Sequence, residues 1–333
     1  MINSFPYSIL SKQSLIRQIN YLASNHIPFL LIVDYKAESG YVIRQEELDD
    51  NYVQFQFEKQ QATVEPENIK QQVLQLDIQP LTQEQYQHKF DFVQQQIHLG
   101  NSFLVNLTQP TEVNCNFTLF EIFTKSKAKY RLWLKDTLLV LSPETFIRIE
   151  GQTISSFPMK GTIDADILNA EETILNDPKE KAEHATIVDL IRNDLSLVAS
   201  HVKVRRYRYV EKIKTNKQDL LQVSSEISGL LPENYQNKLG DILFALLPAG
   251  SICGAPKAKT LEIIKDAEGY DRGFYTGICG YYDGTDFDSG VMIRFMEQDG
   301  ERLVFKSGGG ITSQSELIKE YEELIQKVYV PVC

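Results

Sequence analysis

The sequence has no long apolar run. No stretch approaches the roughly 18 consecutive apolar residues that a membrane-spanning helix needs. Residues 1–10 carry neither the basic start nor the apolar centre of a secretory signal peptide. The sequence therefore predicts a cytoplasmic protein that does not associate with membranes.

Cysteine is scarce as well. The four cysteines lie far apart and form no C-x-x-C pair; they are Cys115, Cys253, Cys279 and Cys333. Neither a zinc site nor a disulfide framework is therefore predicted, and buried free thiols are expected instead.

Basic residues are in deficit. The chain of 333 residues has 34 Lys and Arg against 45 Asp and Glu, which gives a formal net charge of −11. This balance argues against binding along the phosphate backbone of a nucleic acid and against attraction to anionic lipid. An anionic substrate would have to be held by a few local cations, by backbone amides or by a metal ion.

Helix signals are clear at several points of the chain. Thr82 and Gln85 form a capping box, and Asp177 followed by Pro178 is typical of a helix start. Pro256 opens a further predicted helix, and a last helix starts near Ser315.

Short apolar or alternating segments predict strands between these helices. The predicted strands are Phe29–Val33, Phe103–Thr108, Tyr130–Leu134, Leu138–Ser142, Phe146–Glu150, Thr153–Pro158, Val202–Val210, Leu220–Ile227, Tyr275–Tyr282, Ser289–Met296 and Arg302–Ser307. Strands that come in runs, with helices set between the runs, favour an α+β fold with large antiparallel sheets.

Two predicted helices carry stripes of acidic residues. Glu180 and Glu183 are three apart, and Glu320, Glu323 and Lys327 follow at spacings of three and four, so that each set shares a helix face. Carboxylates on two facing helices could hold a hard cation. The spacing by itself favours the other interpretation, in which both stripes are solvated faces.

Two glycine-rich segments precede predicted helices, at residues 250–257 and 307–312. Successive backbone N–H groups in such a segment can converge on an anion. A bare tight turn is an equally good interpretation of each segment.

Lys160 and Arg294 are unusual in their surroundings. Lys160 ends a predicted strand and precedes Gly161, and a buried lysine with a lowered pKa can be a nucleophile, although most lysines are surface charges. Arg294 lies within a predicted apolar strand, Val291–Phe295. It needs an anionic partner if it faces inward, and otherwise it faces water.

Taken in order, these segments resemble the motifs of the chorismate-utilising family, and most closely those of its aminodeoxychorismate synthases. The matching segments are Gly100–Gln109, Ser142–Glu144, Pro158–Thr162, Lys181–Asp194, Gly250–Lys257, Ile293–Arg294, Gly308–Ile311 and Glu320–Lys327. The resemblance implies the α+β fold of anthranilate synthase component I, as a single domain over residues 1–333. It also implies a shortened N-terminal lobe of about residues 1–80 and a catalytic core of about residues 81–330.

The resemblance implies a magnesium cofactor that binds the ring carboxylate of chorismate. Glu183 and Glu323 are then direct ligands of Mg²⁺, and Glu180 and Glu320 hold bound water or support them.

The same resemblance assigns the remaining substrate contacts. Arg294, Lys327 and the amides of Gly309 and Gly310 complete the anion site. Gly161 and Thr162 then line the reacting ring.

The mechanism implied by the family is two successive displacements. Lys160 attacks C2 of chorismate while Glu144, as general acid, protonates the departing 4-hydroxyl. Ammonia then enters at C4 and expels the lysine. Related anthranilate synthases carry alanine at the position of Lys160, so the lysine favours amination at C4. The ammonia is expected from a separate glutamine amidotransferase subunit, because the sequence contains no glutaminase motif.

Three parts of the sequence differ from the family's usual motifs, so alternative functions are kept. Gln222 stands where the family usually has histidine, and Leu104 replaces the lysine base of water-adding relatives. Leu31–Asp34 replaces the usual tryptophan-binding motif, so inhibition by tryptophan is not expected. The alternatives are an anthranilate synthase component I and a non-catalytic homologue that binds chorismate or scaffolds an amidotransferase.

Overall fold

A computed structural model describes residues 5–58, 60–62, 73–213 and 219–331. Within these ranges the chain forms two large antiparallel sheets, one of 10 strands and one of 9. Helices pack against both sheets. The predicted α+β fold with mostly antiparallel sheets is confirmed. Residues 54–96 are rich in Gln, and part of this stretch, like Cys333, lies outside the described residues.

The first sheet combines strands from both ends of the described chain. Its spatial order is β1-β3-β2-β16-β17-β10-β11-β14-β12, and β13 also pairs with β14. In chain order its strands are β1 (Leu10–Ser11), β2 (Phe29–Val33), β3 (Ser39–Arg44), β10 (Thr145–Glu150), β11 (Thr153–Ser156), β12 (Met159–Asp164), β13 (Ser200–Ile213), β14 (Leu220–Leu230), β16 (Ile278–Tyr282) and β17 (Phe287–Val291).

The second sheet has the order β15-β7-β19-β18-β9-β8-β4-β5, and β6 pairs with β7. Its strands are β4 (Val53–Phe57), β5 (Gln60–Ala62), β6 (Leu76–Gln79), β7 (Leu104–Cys115), β8 (Tyr130–Leu134), β9 (Leu138–Ser142), β15 (Gly254–Ala255), β18 (Phe295–Asp299) and β19 (Arg302–Ile311).

Helices α5 and α8 bring the acidic stripes to the sheets. Helix α5 packs on β12, β13 and β14, and α8 packs on β19 and α2. The helices are α1 (Lys12–Ser24), α2 (Gln83–His98), α3 (Leu119–Lys125), α4 (Ala170–Asn176), α5 (Pro178–Ser196), α6 (Leu239–Leu246), α7 (Lys257–Glu268) and α8 (Leu317–Gln326).

The continuous apolar sequence of β2 is explained by burial on both faces. Leu30 and Ile32 belong to a core between the two sheets, together with Phe55 of β4 and Leu132 of β8. Phe29 and Leu31 face the other way and share a core that includes residues of α1 and α6. A strand buried on both faces needs no polar alternation, which is why it reads as one apolar run.

Several predicted elements are confirmed to the residue or nearly so. Strands β2, β8 and β9 have the predicted bounds, and Thr82 caps α2 through the predicted box with Gln85. Asp177 caps α5, and Pro178 is its first helical residue. No helix in the described ranges is long and apolar enough to cross a membrane. Cys253 and Cys279 are buried free thiols, and Cys115 is a half-buried one.

Two predictions about the C-terminal third are wrong. The predicted strand Ser289–Met296 is two strands in different sheets, because the chain crosses over at residues 292–294 and Arg294 has a φ of +52°. The glycines at positions 308–310 do not form a loop, since they continue β19 and pair with Thr108, Leu107 and Asn106 of β7. Strand N–H groups point alternately to opposite sides, so these three cannot converge on one anion.

Candidate active site

A β-bulge sets the position of Lys160. Lys160 pairs with Val223 of β14 and Thr162 pairs with Gln222, so that Gly161 is an extra residue between them. Its φ is +77°, and a Cβ there would lie 2.9 Å from Glu180 Oε2. Only glycine accepts both the left-handed backbone and this close approach to α5.

The amine of Lys160 faces α5. Its Nζ donates to Glu183 Oε2 at 3.1 Å, and both side chains are largely buried. Burial lowers the pKa of Lys160, but the carboxylates of Glu183, Glu180 and Glu323 together raise it by more, so the pKa lies above its ordinary value. In this arrangement of charges the ammonium form of Lys160 is therefore favoured.

Helix α8 presents its charges to the glycine segment of β19. Lys327 Nζ lies 2.6 Å from Glu323 Oε1 and donates to the carbonyl of Gly308 at 2.9 Å. A Cβ on Gly309 would lie 3.5 Å from Glu320 Oε2 and 3.7 Å from both Glu323 Oε1 and Lys327 Nζ. The missing side chain therefore leaves space beside these charged groups.

Gly310 connects this group of charges to Lys160. A Cβ on Gly310 would lie 3.6 Å from Lys160 Nζ and 3.0 Å from Leu104 Cδ1. The two acidic helices thus stand on either side of one cleft, with β12 and β19 between them. Leu104 makes the wall beside the lysine apolar.

The four carboxylates fit a hard cation in their chemistry. Oxygen ligands of this type are those that Mg²⁺ takes. Within the described ranges, however, no set of three or more His, Cys, Asp or Glu side chains is already gathered as a metal site. Glu183 and Glu323 are each paired with a lysine, at 3.1 and 2.6 Å. These ion pairs would have to open before the oxygens could meet on one ion.

Glu144 lies between β9 and β10, and burial raises the pKa of its carboxyl. A hydrogen bond from Ser251 and the charges of Lys160, Arg294 and Lys327 lower this pKa in part. Ser251 Oγ donates to Glu144 Oε1 at 2.5 Å. A carboxyl that keeps its proton to higher pH can act as a general acid. Ser251 was not singled out in the sequence, although it lies in the glycine-rich segment at residues 250–257.

Arg294 faces inward at the crossover between the sheets. Its Nε is buried and has no hydrogen-bond partner among the described residues. Its guanidinium stacks on the ring of Tyr329, with 4.9 Å from Cζ to the ring centroid. A buried guanidinium nitrogen without a partner is the group that an anionic ligand would satisfy. No sequence pattern pointed to Tyr329.

Thr162 and Gln222 lie side by side, with Thr162 exposed and Gln222 half-buried. A buried histidine is found nearby, at His184 of α5, whose Nε2 lies 2.7 Å from Ser225 Oγ on β14. Burial, Arg208 and Lys160 lower the pKa of His184 to about 4, so the imidazole is neutral at pH 7. The sequence could have pointed to His184, because this residue follows Glu183 in the Lys181–Asp194 segment.

The fold is that of chorismate-utilising enzymes. The structure of an isochorismate synthase, DhbC, from Bacillus anthracis matches with a TM-score of 0.73 at 20% identity, covering 96% of this chain and 89% of that one. Anthranilate synthase component I from Streptococcus pneumoniae matches with a TM-score of 0.65 at 26% identity, over 76% of this chain and 58% of that one. The chain belongs to the chorismate binding enzyme family, whose sequence profile matches residues 19–332.

Curated relatives agree with this membership. An "Uncharacterized PabA-like protein" from Haemophilus influenzae is 46% identical over 96% of this chain and 97% of its own length. Aminodeoxychorismate synthase component 1 from Escherichia coli is 33% identical over 74% of this chain. That match covers 57% of the Escherichia coli protein, so the chain corresponds to little more than half of that relative.

Proposed function

We propose that this chain is component I of an aminodeoxychorismate synthase. In this function it converts chorismate and ammonia to 4-amino-4-deoxychorismate, a precursor of 4-aminobenzoate and folate. The observation that carries the proposal is the amine of Lys160, held by a bulge between two acidic helices. The charges of Lys160 and Arg294 both act on Glu144, and the buried Nε of Arg294 has no hydrogen-bond partner among the described residues. The similarity to the aminodeoxychorismate synthase of Escherichia coli supports it further.

Chorismate carries two carboxylates, and the cleft offers cations for them. Arg294 has a buried Nε to offer to one carboxylate. Lys327 and the backbone of Gly309 and Gly310 lie beside the space where the other end of the substrate would bind. Gly161 and Thr162 line the ring from the bulged strand.

Glu183 and Glu323 would hold Mg²⁺ directly, with Glu180 and Glu320 as the supporting pair. When bound, the ion would neutralise the ring carboxylate of chorismate and bring it against the lysine. A cation held by Glu183 and Glu323 would offset the carboxylate charge that favours the ammonium form of Lys160, and would thereby favour the neutral amine, which is the nucleophilic form.

The chemistry is two successive displacements, and Glu144 is the acid of the first. The amine of Lys160 adds at C2, the ring double bonds shift, and the 4-hydroxyl leaves as water with a proton from Glu144. Ammonia then adds at C4, and the bond from C2 to Lys160 breaks. Each step is easier than direct replacement of hydroxide, which is the advantage of a covalent intermediate. A separate glutamine amidotransferase subunit supplies the ammonia.

The test is a product assay with the purified chain, chorismate, magnesium chloride and ammonium chloride. Formation of 4-amino-4-deoxychorismate, identified by liquid chromatography and mass spectrometry, is the expected result. Anthranilate as the main product would select the second candidate, anthranilate synthase component I, to which the chain is also similar. Chorismate binding by calorimetry without any product would select the non-catalytic homologue.

A further inference from the structure

A second cleft is lined by Glu144 but not by Lys160. Its cavity volume is about 30 Å³, the space of a molecule the size of water. Its lining includes Glu144 together with Phe146, Ser156, Ile191, Leu195, Ala249 and Ser251. We refer to the space between these residues as the rear cleft.

The rear cleft is separate from the proposed chorismate site. Of the residues assigned to catalysis, chorismate or magnesium, Glu144 alone is among those that line it. Ile191 lies on α5 beyond Glu183, at a distance of about 12 Å along the helix axis for the eight intervening steps. The two sites therefore share Glu144, while the other residues around them differ.

The proposed reaction specifies where ammonia must arrive. Glu144 protonates the hydroxyl on C4, and C4 is also the carbon that ammonia attacks. A second substrate in the rear cleft would lie beside Glu144, the group that serves C4, and away from the other residues assigned to chorismate. This argument rests on the proposed function.

The lining of the rear cleft suits a small uncharged molecule. Most of its walls are apolar, from Phe146, Ile191, Leu195 and Ala249. Its acidic side chain besides Glu144 is Asp194, whose carboxylate is already paired with Lys257 at 2.8 Å. An apolar wall disfavours the ammonium ion and accepts neutral ammonia, because burying an unpaired charge is costly.

We propose that the rear cleft is the route by which neutral ammonia reaches C4 of the lysine-bound intermediate. Ammonia gives its electron pair to C4, the double bonds shift back, and the bond between C2 and the lysine nitrogen breaks, with its pair returning to the amine of Lys160. One proton of the new C4 ammonium group passes to the carboxylate of Glu144. The acid and the nucleophile are thereby both restored for the next turnover.

The experiment narrows the rear cleft by Ala249→Val and Ala249→Leu and measures steady-state kinetics with ammonium chloride. The KM for ammonium should rise with side-chain volume, by about threefold for valine and about tenfold for leucine. The KM for chorismate, and its dissociation constant, should stay within about twofold of the unmodified chain. Ala128→Leu, which adds the same volume in the outer core away from the cleft, should leave both constants unchanged.

A rise in the KM for chorismate without a rise for ammonium would overturn the proposal, and so would unchanged constants in both Ala249 variants. If the leucine variant does not fold, as judged by thermal melting, the valine variant decides. Product formation by the unmodified chain tests the proposed function separately. The proposed ammonia route can therefore be rejected even if the chain has synthase activity.

Discussion

The Lys160 amine and the Glu183 carboxylate are joined at 3.1 Å across the cleft, although they lie on a strand and a helix of different sequence segments. The bulge at Gly161 sets the strand residue, and the cap at Asp177 sets the start of the helix. The ion pair therefore forms only when the bulged strand and the helix are both in place. Under the proposed function it is also the pair that would separate when Glu183 binds a cation.

Removing the Lys160 amine tests the covalent step. Lys160→Ala should reduce formation of 4-amino-4-deoxychorismate by about 100-fold or more, because no nucleophile remains to attack C2. Chorismate should still bind in calorimetry, since Arg294 and Lys327 are intact. Lys181→Ala, at an exposed position on α5, is the matched control and should keep full turnover. Equal activity in the two variants would exclude the covalent role.

The raised pKa of Glu144 predicts a pH dependence. Turnover should decline as pH rises through this pKa, because the general acid loses its proton. Glu144→Gln should reduce turnover by about 100-fold and remove that limb of the profile. If turnover by Glu144→Gln still declines over the same alkaline pH range, the group that titrates there is not Glu144.

The same shift has a consequence for stability. The folded carboxyl binds its proton more tightly than the unfolded one, so stability conferred by the protonated form is lost as pH rises from the unfolded pKa to the folded pKa. Glu144→Gln has no carboxyl to ionise at this position, so it should not lose stability in this way as pH rises. The melting temperature of the glutamine variant should be compared with that of the unmodified chain at pH 4 and at pH 8. The difference should favour the variant more at pH 8 than at pH 4.

Gly161 and Gly100 form a matched pair for testing the bulge. Both have a φ of +77°, but a Cβ on Gly100 would have no neighbour within 4 Å, whereas one on Gly161 would press on Glu180. Alanine at either position should reduce the free energy of unfolding by about 1–2 kcal/mol through the backbone. Gly161→Ala should in addition reduce turnover by about tenfold. If Gly100→Ala loses as much activity, the bulge has no special role.

Tyr329 should hold Arg294 in place for the substrate carboxylate. Tyr329→Ala should raise the KM for chorismate by about fivefold with little change in kcat, and Tyr329→Phe should restore it, because the ring face and not the hydroxyl contacts the guanidinium. A loss of kcat in both variants would contradict this role.

Magnesium dependence can be tested on neighbouring carboxylates of α8. Glu323→Gln should raise the magnesium concentration needed for half-maximal turnover by about tenfold, because one direct ligand is weakened. Glu322→Gln changes an exposed carboxylate one position away and should have no effect. Removal of metal with a chelator should stop turnover by the unmodified chain, and added Mg²⁺ should restore it.

The sequence predicted those parts of the fold that local patterns determine. The apolar runs of β2, β8 and β9 and the capping box at Thr82 need no information from distant residues. The crossover at Arg294 was missed because a positive φ at a non-glycine residue is imposed by the two sheets that it connects. The strand character of residues 308–310 was missed for a similar reason, since it depends on pairing with β7.

The order of the motifs predicted a set of residues for the candidate site. It did not predict how these residues are arranged in space. Spacing placed Glu180 with Glu183, and Glu320 with Glu323, but no local pattern relates α5 to α8. The partners that orient the site, Ser251 and Tyr329, act through contacts across long sequence separations. Such contacts leave no periodic trace in the sequence.

Each sheet depends on strands that are synthesised far apart in time. Strand β2 pairs with β16, and β9 pairs with β18, so in both sheets residues from the last third of the chain are neighbours of strands that come much earlier. A nascent chain that has emerged only to residue 270 contains β3 and β8 but still lacks the second partner of β2 and of β9, and so exposes one edge of each strand. We therefore expect slow, late folding and a need for protection from aggregation during synthesis.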